Sequence, residues 1–255
     1  MNADKATETR PFDVLCVIPA RGGSKGLLRK NVRKLAGHPL IAYPIAAARA
    51  SGVCDAIFVS TDDEEIAEQA RLYGADVPML RPAELGQDLT TTEAVLKQAI
   101  QSYEAHRGAE TQIAVFLTAT DIFRHPEWIT EAVGRLRERP ELESVFAAHA
   151  TTKNYWQRNE RGALERVLPW MQVYSSRQVR QQTWREDTGL TCASRSWLWR
   201  EGRRIGDVVD IVENKLQETA IDIHEEFDLV IAETALQWFR ANAADRAPID
   251  PGDYL

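Results

Sequence analysis

Apolar residues along this chain fall into short unbroken runs separated by stretches with helical spacing. Residues 14–20 (VLCVIPA) are apolar and rich in β-branched side chains, and a basic, glycine-containing segment follows at once over 21–31. A run without polar alternation predicts a strand buried on both faces, here opening into a loop. Residues 56–60 (AIFVS) predict a second buried strand, 77–80 a short third, 113–117 (IAVFL) a fourth and 144–148 a fifth. Helical spacing predicts helices over 40–50, 64–73, 91–104 and 126–138. Thr61, Asp62 or Asp63 suits the cap of the second helix, the threonines 90–92 the start of the third, and Pro126 the first turn of the fourth.

Strands alternating with helices of about 10–15 residues predict an α/β fold, Rossmann-like, with a mostly parallel sheet and helices on both faces. The rhythm breaks over 151–188, which is polar and aromatic, with Trp156, Trp170 and Trp184, and reads as an inserted lobe or an oligomerisation arm. It returns at 189–194, 207–212 and 220–223, and an amphipathic helix over 226–240 closes the pattern. The expected organisation is one domain over 12–240 containing the inserted lobe, then a loose tail over 241–255.

A formal net charge of -7 gives no global reason to bind nucleic acid or an anionic membrane, so an anionic substrate must be met by a local cation cluster. The three cysteines are far apart and form no CxxC pair, which suggests neither a zinc site nor a disulfide framework. The first dozen residues are polar and lack the apolar core of a signal peptide, and no apolar run has the length of a bilayer span. A cytoplasmic protein is expected.

The candidate chemistry lies in IPARGGSKG, followed by Arg29, Lys30 and Asn31. A strand ending in glycines lets successive backbone N–H groups converge on phosphate oxygens. Arg21, Lys25 and Lys30 add charge-assisted donors. In open α/β sheets ligands sit beyond the carboxyl ends of the strands, where this loop would lie. Neither GxxxxGK[ST] nor GxGxxG is present. On composition alone, a basic surface turn is as good a reading.

These residues closely resemble the nucleotide-binding signature of the acylneuraminate cytidylyltransferases and their relatives acting on other 2-keto-3-deoxy acidic sugars. Residues 59–62 (VSTD), 81–85 (RPAEL) and 221–223 (IDI) resemble the same family in the same order, and the resemblance spans roughly 14 to 235. It implies that CTP is a substrate, with Ala20, Arg21, Gly22, Gly23, Ser24, Asn31, Arg81 and Thr92 around the nucleotide. It implies catalytic roles for Arg21, Lys25, Lys30 and Asp222, with Lys25 and Lys30 on phosphates. Lys153, Arg180 and Gln181 resemble sugar-acid contacts carried by a dimerisation lobe, which implies a homodimer. A divalent cation, Mg²⁺, is implied near Asp222 and His224.

Two departures stand out. The family places a glutamine before a QPTSP-like turn, and Leu117 is read at that position, with Asp121 and Arg124 as polar alternatives for the sugar. The family's DID pair reads Asp222-Ile223-His224 here, and imidazole is a poor ligand for hard Mg²⁺. Glu225 and Glu226 are read as caps of the closing helix.

The implied reaction is in-line attack of a sugar-acid anomeric hydroxyl on the α-phosphorus of CTP. No side chain announces itself as a general base. An NDP-sugar pyrophosphorylase and a non-catalytic nucleotide-binding paralogue are the rival readings. Which acid is used (sialic, legionaminic, pseudaminic or Kdo-like) stays open. Replacing Arg21 by Ala is expected to abolish CTP binding while leaving the melting temperature close to wild type; unchanged CTP affinity would show that the loop is misassigned.

Overall fold

The computed structural model describes residues 12–24, 26–87, 89–173, 176 and 178–255. Lys25 lies outside the described residues. The strands are β1 (Val14–Pro19), β2 (Lys34–Leu35), β3 (His38–Pro39), β4 (Ala56–Ser60), β5 (Ile113–Phe116), β6 (Ser144–Thr151), β7 (Trp156–Arg158), β8 (Leu164–Arg166), β9 (Thr183–Glu186), β10 (Cys192–Arg195) and β11 (Val209–Asn214). The α-helices are α1 (Ala42–Ser51), α2 (Glu64–Leu72), α3 (Thr92–Arg107), α4 (Pro126–Glu138), α5 (Ser196–Glu201) and α6 (Glu226–Asn242).

Seven strands form the main sheet in the order β11-β6-β10-β5-β1-β4, with β9 added to β6. Strands β4, β1, β5, β6 and β11 point one way, and β10 and β9 run against them. Alternate residues of β1 serve opposite faces. Val14, Cys16 and Ile18 pack with Ile45 of α1, Ile66 of α2 and Ile129 of α4, whereas Leu15 and Val17 pack with Leu96 and Ile100 of α3 and Trp199 of α5. Both faces being covered explains the absence of polar alternation in the strand sequences.

Local caps fix where the helices start. Asp63 accepts the Ile66 N–H at 3.1 Å and begins α2, and Thr91 accepts the Ala94 N–H at 3.2 Å and begins α3. Glu225 and Asp228 form a reciprocal capping box on α6.

Four sequence expectations differ. Residues 77–80 form no strand; a single bridge joins Phe58 to Asp76, and Pro78 has no N–H to continue a ladder. Residues 220–223 are not a strand either, since a short 3₁₀ turn (Gln217–Ala220) leads directly into irregular chain. The segment 151–188 contains real β structure: β7 and β8 form a hairpin, and β9 returns to pair with the far end of β6. The tail is docked rather than loose. Arg49 donates to Tyr254 O at 2.6 Å, Arg240 pairs with Asp250 at 2.8 Å, and Arg246 reaches buried Glu218 at 2.9 Å.

Arg124, expected at the sugar, is instead an internal clamp. It is 1% exposed. Its Nη2 donates to Thr118 O at 2.9 Å and Gly189 O at 2.5 Å, and its Nε donates to Leu190 O. Burial pushes the guanidinium down to about 10, with Asp121 opposing the shift. Its donors tie the loop after β5 to the turn before β10. Replacing Arg124 by Ala strands these carbonyls, so urea denaturation should show a loss of about 3 kcal/mol; a midpoint unchanged from wild type would contradict the clamp.

Candidate functional site

Strands β1, β4 and β5 are neighbours and parallel, so their carboxyl ends open on one edge of the sheet. The chain leaves β1 through Ala20, whose N–H donates to Ser60 O at 2.9 Å and extends the ladder by one residue. That amide, expected to face the nucleotide, is therefore committed to the sheet. The Gly22 N–H is likewise held, by Asp62 Oδ1 at 3.1 Å. Among the described residues, the N–H groups of Gly23 and Ser24 have no protein acceptor.

The rest of the turn is braced from behind. Buried Asn31 donates from Nδ2 to Arg21 O at 2.9 Å, closing the loop between its two ends. Arg29 adopts a left-handed φ of 57° and is held by Asp63 at 2.6 Å and by Glu65. Lys30 Nζ donates to Ile223 O at 3.0 Å, which ties the loop to the segment carrying Asp222.

A cavity of about 520 Å³ lies over this edge, within the usual size range for small-molecule sites. Arg21, Ser24, Lys30 and Asn31 of the loop line it together with Arg81, Gln87 and Thr92. Phe116, Thr118, Ala119 and Thr120 at and after the end of β5 also line it, as does His224. Thr92 opens α3, so the positive end of that helix faces the cavity. The sequence-selected Arg21, Ser24, Lys30, Asn31, Arg81, Thr92 and His224 are thus brought together. Gln87, Phe116, Thr118 and Thr120 were not foreseen.

The lining is cationic under strain. Burial lowers the Lys30 ammonium below the ordinary lysine range; Asp222 opposes this and the Arg21 charge adds to it. Burial also lowers Arg81, against the pull of Asp62, and again the Arg21 charge adds. Three like charges held this close create a site that an anion would relieve.

Leu117 has no part in this cavity. Its side chain is fully buried in the core beside Val115, and Thr118 is the neighbour that faces the opening. Strand alternation alone places Leu117 on the same face as Val115. Thr118 Oγ1 donates to Asp121 and lies 3.4 Å from Gly189 O. Burial raises the Asp121 carboxyl above its usual range, and the Asp222 charge raises it further.

Asp222 and His224 meet directly, with Oδ2 2.7 Å from Nε2. The other oxygen, Asp222 Oδ1, is buried without a hydrogen-bond partner. Among the described residues no group of three or more His, Cys, Asp or Glu side chains is arranged to hold a metal. Lys153, Arg180, Gln181, Asp121 and Arg124 do not line the cavity. Lys153 and Gln181 are exposed on the lobe, and Arg180 donates to Thr152 O at 3.0 Å.

An open α/β sheet with a basic, glycine-rich turn and a ligand-sized cleft at its strand carboxyl ends defines the class of the molecule. Within that class, the chain belongs to the cytidylyltransferase family, whose model matches residues 15–180. It is similar to N-acylneuraminate cytidylyltransferase A of Danio rerio, with 31% identity over 254 residues, 97% of this chain and 56% of that one. It is 44% identical over 122 residues to CMP-N,N'-diacetyllegionaminic acid synthase of Legionella pneumophila, covering 47% of this chain and 51% of the relative. Pseudaminic acid cytidylyltransferase of Campylobacter jejuni matches at 48% identity over 87 residues, 34% of this chain and 38% of its own. The chain therefore spans between 38% and 56% of the length of these curated relatives. The fold is shared with CMP:2-keto-3-deoxy-manno-octonic acid synthetase complexed with CTP, at a TM-score of 0.66 and 15% identity, covering 89% of this chain and 99% of the other.

Gly26 packs against the end of the cavity, where an added Cβ would lie 2.5 Å from His224 O. That neighbour is backbone and cannot swing away. Replacing Gly26 by Ala should push the loop off the Asp222 segment and weaken CTP binding about tenfold or more in a calorimetric titration; unaltered affinity would show that this contact does not shape the site.

Proposed function

We propose that the protein transfers CMP from CTP to the anomeric hydroxyl of a 2-keto-3-deoxy sugar acid of the nonulosonic class, releasing pyrophosphate. The observation that carries this reading is the convergence of Arg21, Lys30 and Arg81 on one ligand-sized cavity beside the start of α3. A triphosphate is the kind of polyanion that suits three cations gathered on one cavity. Arg81 and Thr92, which line the same cavity, suit the cytidine half.

The acceptor oxygen attacks the α-phosphorus and the bond to the β-phosphate bridging oxygen breaks. The proton of the attacking hydroxyl is lost to solvent and pyrophosphate departs. Lys30 and Arg21 neutralise the charge that grows on the phosphates, and Ser24 and the Gly23 N–H offer further donors. Lys25 belongs to the same loop in this reading. Thr118 and Thr120 border the acceptor side, and their hydroxyls suit a polyhydroxylated sugar.

A divalent cation fits the residues present, because Asp222 Oδ1 is a buried carboxylate oxygen without a partner. Asp222 is the proposed ligand, and His224 steadies it through their 2.7 Å contact. Bound Mg²⁺ would neutralise phosphate charge and lower the pKa of the acceptor hydroxyl.

The lobe supports a homodimer. Trp156 and Trp184 are 49% and 50% exposed on it, and Lys153, Arg180 and Gln181 lie away from their own chain's cavity. In the dimer they meet the sugar acid bound to the partner. The domain spans 12–240, and its place of action is the cytoplasm; no helix among the described residues is long and apolar enough to cross a membrane.

A pyrophosphate-release assay with CTP and a panel of sialic, legionaminic, pseudaminic and Kdo-type acids tests this directly. Release with CTP and at least one acid is expected, reduced about 100-fold or more by Asp222→Ala. Turnover of UTP or GTP with a sugar 1-phosphate would replace the reading with a pyrophosphorylase. CTP binding without release across the panel would leave a non-catalytic paralogue.

A further inference from the structure

We propose that Asp62 is a positioning residue that locks the phosphate loop and the base-side Arg81 into one geometry and thereby sets nucleotide choice. The inference rests on the CTP reading above.

Asp62 follows β4 and does not line the cavity, yet one of its oxygens joins the loop at Gly22 to Arg81, which does line it. Oδ1 accepts the Gly22 N–H at 3.1 Å and lies 3.3 Å from Arg81 Nη2. The adjacent Thr61 O accepts the Arg81 N–H at 2.7 Å, so Arg81 is held at both its backbone and its side chain. Arg81 is a poor candidate for holding its own place. Its side chain is only 3% exposed, and its Nε is buried without a partner. Asp62 is the one carboxylate with which it forms an ion pair among the described residues.

Behind Asp62 the fit is close. An added Cβ on Gly86 would lie 2.3 Å from Asp62 Oδ2, so the turn after Arg81 packs closely on this carboxylate. A single oxygen serving both donors makes the loop and Arg81 mechanically dependent: a shift of the loop at Gly22 changes the seat of Arg81. Negative charge at this point also balances the repulsion between Arg21 and Arg81 before a ligand arrives. The neighbouring Asp63 does a different job, capping α2 and pairing with Arg29.

The test uses calorimetric binding of CTP and UTP, which needs no sugar acceptor. Asp62→Asn keeps volume and an acceptor oxygen but removes the charge. It should weaken CTP about tenfold and narrow the CTP/UTP ratio, and the same substitution should have little further effect once Arg81 is replaced by Met. Asp250→Asn, which loosens the docked tail at Arg240, is the control and should leave CTP affinity and the CTP/UTP ratio as in wild type. Losses that add independently for Asp62 and Arg81, or a ratio untouched by Asp62→Asn, overturn the positioning role alone. Absence of CTP binding by the wild-type protein overturns both this inference and the reading it rests on.

Discussion

Parallel pairing on both sides of β1 is the constraint from which the site follows. The register sets Pro19 beside Ser60 and Val17 beside Phe116, so three chain segments must leave the sheet at one edge. The glycine turn, the Thr61–Asp63 corner and the Thr118–Thr120 loop are consequently neighbours although far apart in sequence. Burial on both faces leaves β1 little freedom to slip, since a one-residue shift would exchange every side chain between the two cores.

On that frame the protein gathers Arg21, Lys30 and Arg81 around one cavity. Burial lowers Lys30 and Arg81, the nearby Arg21 charge adds to both shifts, and Asp222 and Asp62 oppose them. Burial likewise raises Asp121, and the Asp222 charge raises it further. Backbone donors have a smaller part than the glycines suggest, because the Ala20 and Gly22 amides are already bonded within the protein.

Much of this was legible in the sequence wherever burial dictated composition. The runs at 14–20, 56–60 and 113–117 stand out because a strand covered on both faces must be apolar throughout. The caps were legible only as the clusters 61–63 and 90–92, of which Asp63 and Thr91 accept the first-turn amides. What escaped depended on distant partners. Arg124 looks like any surface arginine until Gly189 and Leu190 fold back over it. The tail lacks apolar periodicity, and its docking rests on Arg49, Arg240 and Arg246. Asp222 and His224 read as two positions of a strand, yet 220–223 is irregular and the two side chains turn onto each other. Thr118 carries no signal of its own; alternation along the strand turns Leu117 into the core and leaves Thr118 at the opening.

Calorimetric titration of the wild-type protein with CTP, CDP and CMP at increasing salt tests the central claim most directly. If the cationic lining holds phosphates, affinity falls in that order and the CTP isotherm weakens steeply as salt rises. CMP binding as tightly as CTP, with no response to salt, would contradict it.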